Sequence, residues 1–118
     1  MQQDERRQDK RYYYVNNIPA ICLFNRWYMP AIRIKIIDVS EHGMKFFTRS
    51  QLSMSGATIY FNFLDNKIKG EIIWQKKTEN GYLCGFEVRS GHSISNDDIS
   101  LISVMDDYLS ELLTKPNR

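Results

Sequence analysis

The spacing of the strand-like runs restricts this chain more than any other feature. Ala31 to Ile37 alternates, with Ile32, Ile34 and Ile36 on one face and Arg33 and Lys35 on the other, which is the period of a half-buried strand. Ala57 to Leu64 repeats the pattern, with Ile59, Phe61 and Phe63 set against Tyr60 and Asn62. Tyr12 to Val15, Ala20 to Trp27, Met44 to Thr48, Lys67 to Gln75 and Tyr82 to Arg89 are rich in the aromatic and branched residues that favour strands. Asp65-Asn66 and Glu79-Asn80-Gly81 supply hairpin signals between them. No connection has room for a crossover helix, so the strands must pair antiparallel. Six or seven short strands at near-regular spacing predict a small antiparallel β-barrel.

Beyond Arg89 the period changes. Ser95 is placed as a helix N-cap, with Asp97 and Asp98 in a first turn where the helix dipole favours acids. Leu101, Val104, Met105, Tyr108, Leu109 and Leu112 recur at helical spacing, and Lys115-Pro116 should stop the run. The fold class expected is therefore all-β with one C-terminal helix. Its divisions are a polar N-terminal segment over 1–11, poorly ordered unless something holds it, a barrel over 12–90, and an amphipathic helical part over 91–118.

Charge narrows the partners. A net charge of +2 is slight, and Asp4, Glu5 and Asp9 are mixed among Arg6, Arg7, Lys10 and Arg11. That suits a small anion better than a long nucleic-acid polymer, which asks for a concentrated basic stripe. No run approaches the roughly 20 apolar residues needed to span a bilayer, so no membrane insertion is expected. The start lacks the apolar core of a signal peptide. Cys22 and Cys84 lie in apolar runs and read as reduced core thiols. Cytoplasmic location is the expectation.

Two polar motifs carry chemistry. The first is Arg7-Gln-Asp-Lys-Arg11, preceded by Arg6. Arginines offer forked, permanently charged donors for phosphates, for guanine O6 and N7, or for stacking on a base. The second is Asp38-Val39-Ser40-Glu41-His42-Gly43. Its carboxylate and hydroxyl accept from guanine N1–H and N2–H₂, and its glycine permits a tight turn or a close approach. Either motif alone reads more simply as a charged face or a surface turn. Together they describe a pocket for an anion that carries a guanine edge.

The order and separation of these motifs, followed by Gly70-Glu71-Ile72-Ile73-Trp74 and Gly81-Tyr82-Leu83-Cys84-Gly85-Phe86-Glu87-Val88, resemble the PilZ domain, the bacterial receptor module for cyclic di-GMP. The resemblance runs from about Arg6 to Val88. It implies a stand-alone PilZ-type barrel with a C-terminal helix and a ligand site made of Arg6, Arg7, Arg11, Asp38, Ser40 and Gly43. In the family the arginine segment precedes the first strand and lies across the outside of the barrel, while the Asp-x-Ser-x-x-Gly segment is a turn between neighbouring strands. Arg7 and Arg11 would then bind phosphate and the guanine Hoogsteen edge, Asp38 and Ser40 the Watson–Crick or sugar side, with Gly43 shaping the turn. Family members with an additional basic residue, here Arg6, often hold two intercalated ligand molecules. Glu41 and His42 depart from the commoner small or apolar residues, and Glu41 should point outward.

The resemblance also implies no resident cofactor, an N-terminus that orders on ligand, and an unidentified protein effector in flagellar, pilus or polysaccharide machinery, acting in motility or biofilm control. Two other readings compete. One is a PilZ-like protein–protein adaptor without ligand, against which the complete motif set argues. The other is a single-stranded nucleic-acid-binding barrel that uses Tyr12, Tyr13, Tyr14, Phe24, Trp27, Tyr28, Phe46 and Phe47 as stacking platforms. An enzyme is not expected: no His-Glu-x-x-His, Cys-x-x-Cys or phosphate-cradling glycine loop occurs, and His92 has no second metal ligand nearby in sequence.

Overall fold

The computed structural model describes residues 13–24 and 29–114. Its strands are β1 (Tyr13–Phe24), β2 (Ile32–Val39), β3 (Gly43–Thr48), β4 (Gly56–Tyr60), β5 (Ile68–Lys77) and β6 (Tyr82–Val88), followed by the helix α1 (Asn96–Thr114). The strands close into an antiparallel barrel in the order β1-β2-β3-β6-β5-β4. Along β2 the alternation holds at Ile34 and Ile36, which turn into the barrel, while Arg33 and Lys35 face out. Ile18, Phe46, Ile59 and Phe61 fill the interior with no exposed surface, each such side chain contributing about 1.5–3 kcal/mol of burial.

The two N-terminal runs are one strand. β1 pairs with β2 along its length, Tyr13 opposite Val39 and Cys22 opposite Ile32, with a register shift between Tyr14 and Ile18. Asn17 takes up that shift with φ at 57°, a conformation asparagine visits more readily than most residues. The polar Asn16-Asn17 pair therefore marks a bulge and not a loop, and residues 25–28, at the end of the second run, lie outside the described residues.

The expected two-residue turn at Asp65-Asn66 does not form. β4 ends at Tyr60 and β5 begins at Ile68. Both Phe61 and Leu64 enter the core, which two-residue alternation forbids, and the chain turns between them as the Leu64 N–H donates to the Phe61 carbonyl at 3.2 Å. Phe63 is left half-buried beside Phe61, ring centroids 5.4 Å apart. The Glu79-Asn80-Gly81 hairpin forms as expected, closed by Thr78 N–H donating to Gly81 at 2.7 Å.

Ser95 caps α1, its Oγ accepting from the Asp98 N–H at 3.1 Å. The helical spacing of Leu101, Val104, Met105, Tyr108, Leu109 and Leu112 holds, but only Met105 and Leu109 of that set are partly buried. Ile99 and Ile102 are buried, whereas Leu101, Val104, Tyr108 and Leu112 are exposed. Burial of Ile99 and Ile102 holds that face, and one polar contact adds to it: the Asn16 N–H, beside the bulge in β1, donates to Asp106 Oδ1 at 2.7 Å. The helix stop at Lys115-Pro116 lies outside the described residues. No helix among the described residues is long and apolar enough to cross a membrane. Cys22 and Cys84 are free and buried.

Candidate ligand-binding site

Asp38, Ser40 and Gly43 sit together at the β2–β3 corner. The Ser40 N–H donates to the Gly43 carbonyl at 2.8 Å, and the Ser40 Oγ reaches the same oxygen at 3.3 Å. The Ser40 hydroxyl thus spends its proton within the turn and keeps its lone pairs for an outside donor. The corner is tied down from behind: the Glu41 carbonyl accepts from the Ile94 N–H and the His42 carbonyl from the Val88 N–H, both at 2.8 Å. Glu41 and His42 side chains point outward, 3.8 Å apart. Gly43 has an ordinary backbone conformation, so it is needed for space and not for the turn. A Cβ there would run into the Phe86 carbonyl oxygen of β6.

Three irregularities in strand pairing aim the site. Register shifts fall between Tyr14 and Ile18, between Ile36 and Asp38, and between Ile72 and Trp74. Strict alternation would send Asp38 inward with Ile36 and Trp74 inward with Ile72. The shifts leave Trp74 exposed and set Asp38, itself buried, across from the exposed Tyr14 and the part-exposed Lys45, as bulges beside functional sites commonly re-aim side chains. The result is one cross-strand row: Tyr14 opposite Asp38, Asp38 opposite Lys45, Lys45 opposite Gly85, Gly85 opposite Trp74. Tyr14 and Trp74 are exposed rings at the two ends of the row.

Asp38 is the row's electrostatic centre. Its side chain is only 5% exposed, and its Oδ2 lies 3.7 Å from the Lys45 ammonium. Burial raises its carboxyl above the usual range, and the adjacent Lys45 charge opposes that rise. A carboxylate held partly desolvated is primed for a donor that brings its own N–H groups.

Arg6, Arg7 and Arg11 lie outside the described residues. From the sequence Lys45 received no ligand role and Tyr14 only that of a stacking platform in the nucleic-acid reading, while the Trp74 and Gly85 segments entered without a ligand role. A signal existed: a glycine inside an apolar strand marks a close approach, and at Gly85 the approaching group is the Trp74 indole.

The family model described as PilZ domain matches residues 5–105. The chain belongs to the PilZ domain family. No curated protein matches it. Among solved structures, the chain is similar to the crystal structure of YcgR in complex with c-di-GMP from Escherichia coli, with a TM-score of 0.52 and 13% identity, covering 90% of this chain and 48% of that one. It thus spans about half the length of that YcgR. The PilZ domain with c-di-GMP of YcgR from Escherichia coli aligns with a TM-score of 0.51 at 13% identity, covering 90% of this chain and 95% of that one. At such identity the likeness concerns the PilZ fold.

Proposed function

We propose that this chain is a receptor for cyclic di-GMP, bound between the Arg7/Arg11 segment and the row from Tyr14 to Trp74. One observation carries the reading. Tyr13 and Tyr14 pair with Val39 and Asp38, so the chain enters the barrel at the Asp-x-Ser-x-x-Gly corner. Arg11 precedes Tyr13 by two residues, and at about 3.8 Å per Cα step its Cα stays within about 8 Å of that of Tyr13. Membership of the PilZ family and the ligand named in both YcgR structures support the same ligand here.

In this reading Arg7 and Arg11 hold phosphate and the Hoogsteen edge of a guanine. Asp38 and Ser40 accept from a guanine or sugar edge, Lys45 adds charge, and Trp74 stacks. Charge-assisted contacts contribute about 1.5–3 kcal/mol each. Ordering the chain around the arginines opposes this by about 1–2 kcal/mol per residue. Base stacking of about 1–3 kcal/mol therefore has to bring the sum to the roughly −8 kcal/mol of a micromolar complex. Arg6 favours two intercalated ligands per chain.

The ligand-ordered N-terminus changes the charge and shape of one barrel face, and that face is the output: it recruits or releases a protein effector in motility, pilus or polysaccharide control. Calorimetric titration with cyclic di-GMP tests the reading. An Arg7→Ala, Arg11→Ala double variant should lose useful binding, and wild-type affinity in that variant would refute the site. A stoichiometry of one would remove the role given to Arg6. Hydrogen exchange over residues 1–11 that does not slow with ligand would remove the ordering step.

A further inference from the structure

The outer face of α1 is apolar and acidic at once. Leu101, Val104, Tyr108 and Leu112 are between 41% and 59% exposed, and at 1.5 Å per residue they form a stripe about 16 Å long. From Asn96 to Thr114 the helix carries acids at 97, 98, 106, 107 and 111 and no basic residue. Asp97 is exposed at the N-terminal end of the stripe and Asp107 beside it. Two such faces brought together would set like charges against each other, so a second helix is the wrong occupant. The face asks for a surface that is basic and apolar.

The chain carries such a surface. A trough of about 1220 Å³ crosses the outer wall of the barrel over β4, β1, β2 and β3. Ile21 lies between Tyr60 and Arg33 in the pairing, and Lys35 is opposite Phe47. Three strand spacings make it about 14 Å wide, close to the length of the helix stripe. Arg33, Lys35 and Arg49 are exposed along it, and no carboxylate is among its described lining residues. The trough begins three residues before Asp38 and runs toward the opposite end of β2.

We infer that the trough of one copy receives the outer face of α1 from a second copy. Each copy contributes one helix and one trough, which closes as a two-fold dimer. The inference does not depend on the ligand reading.

Sedimentation of the full chain over a range of concentration and salt tests it. The wild type should dimerise at low salt and lose the dimer as salt screens the contact. A trough variant (Arg33→Glu, Lys35→Glu, Arg49→Glu) and a helix variant (Asp97→Lys, Ser100→Lys, Asp107→Lys) should each be monomeric with a wild-type circular dichroism spectrum. Mixed in equal amounts they should form a heterodimer, because both contacts regain opposite charge. Three results overturn the inference: a wild type that stays monomeric at low salt, a mixture that fails to associate, or a helix variant that self-associates more strongly than wild type. Salt-sensitive binding of single-stranded RNA by a monomeric wild type, lost in the trough variant, would give the trough to nucleic acid and also overturn it.

Discussion

The Trp74 indole occupies the space that a side chain at Gly85 would need: a Cβ there would collide with ring atoms including Nε1. Glycine within a strand costs about 0.5–1 kcal/mol relative to alanine, and here the cost is offset by a seat for a half-exposed ring at the end of the row that contains Asp38 and Lys45. Gly85→Ala should therefore dislodge the ring and weaken cyclic di-GMP binding by the stacking contribution, about 1–3 kcal/mol or roughly 5- to 150-fold. Trp74→Ala should show a similar loss, and Trp74→Phe should keep most of the affinity. Titration calorimetry on the three variants decides it; unchanged affinity in Trp74→Ala would remove the ring from the site.

Asp38 opposes stability at neutral pH, and the proposed site gives it a role in binding. Its carboxyl is raised by burial despite Lys45. A group whose folded value lies above its unfolded one stabilises the fold below the unfolded value and loses that contribution as pH rises through the folded value. At neutral pH the ionised Asp38 is therefore a net burden. Asp38→Asn should raise the melting temperature at pH 7, with the gain shrinking as pH falls through the raised folded value and gone below the ordinary aspartate value of about 4, while binding of cyclic di-GMP falls. Melting curves of both proteins from pH 3 to 8 check the sign; a destabilised Asp38→Asn protein at pH 7 would contradict it.

How far the sequence could be read depended on where simple periods hold. The barrel and its antiparallel pairing were legible because Ile34, Ile36, Phe46 and Ile59 obey two-residue alternation. The β2–β3 corner was legible because Asp38, Ser40 and Gly43 are local in sequence. Lys45 and Trp74 were not given a site role, because bulges decide which way Asp38 and Trp74 face and bulges have no period. Which face of α1 docks was not legible for a related reason. The helix has two apolar edges, and the one that docks is set by contacts distant in sequence: the barrel that buries Ile99 and Ile102, and a backbone donor at Asn16, ninety residues from Asp106.

The two thiols should be inert while the fold lasts. Burial pushes Cys22 up to about 12 and Cys84 up to about 11, with the neighbouring Cys84 adding to the rise at Cys22. At neutral pH neither supplies the thiolate that reacts. A thiol-specific reagent should label them at the rate of unfolding, and addition of denaturant should release both at once. By the same linkage their contribution to stability is present below the ordinary thiol value and is lost as pH rises toward 11–12. Rapid labelling of the native protein at pH 7 would contradict their enclosure.

The bond from Asn16 to Asp106 ties the helix to the strand irregularity that starts at Tyr14. The donor is the backbone N–H of Asn16, at 2.7 Å from Asp106 Oδ1, whereas the Asn16 side chain makes only an exposed 3.2 Å contact with Ser110. Substitutions on the two sides of the bond should therefore differ. Asp106→Ala leaves a part-buried N–H without its acceptor and should cost about 1–3 kcal/mol. Asn16→Ala keeps the N–H and should cost well under about 1 kcal/mol. Because the bond holds β1 beside the register shift between Tyr14 and Ile18, Asp106→Ala should also weaken ligand binding although Asp106 lies outside the row. Denaturant titration and calorimetry on both variants measure the two effects. Equal stability losses in the two would show that side-chain packing at Asn16, and not its backbone donor, secures the helix.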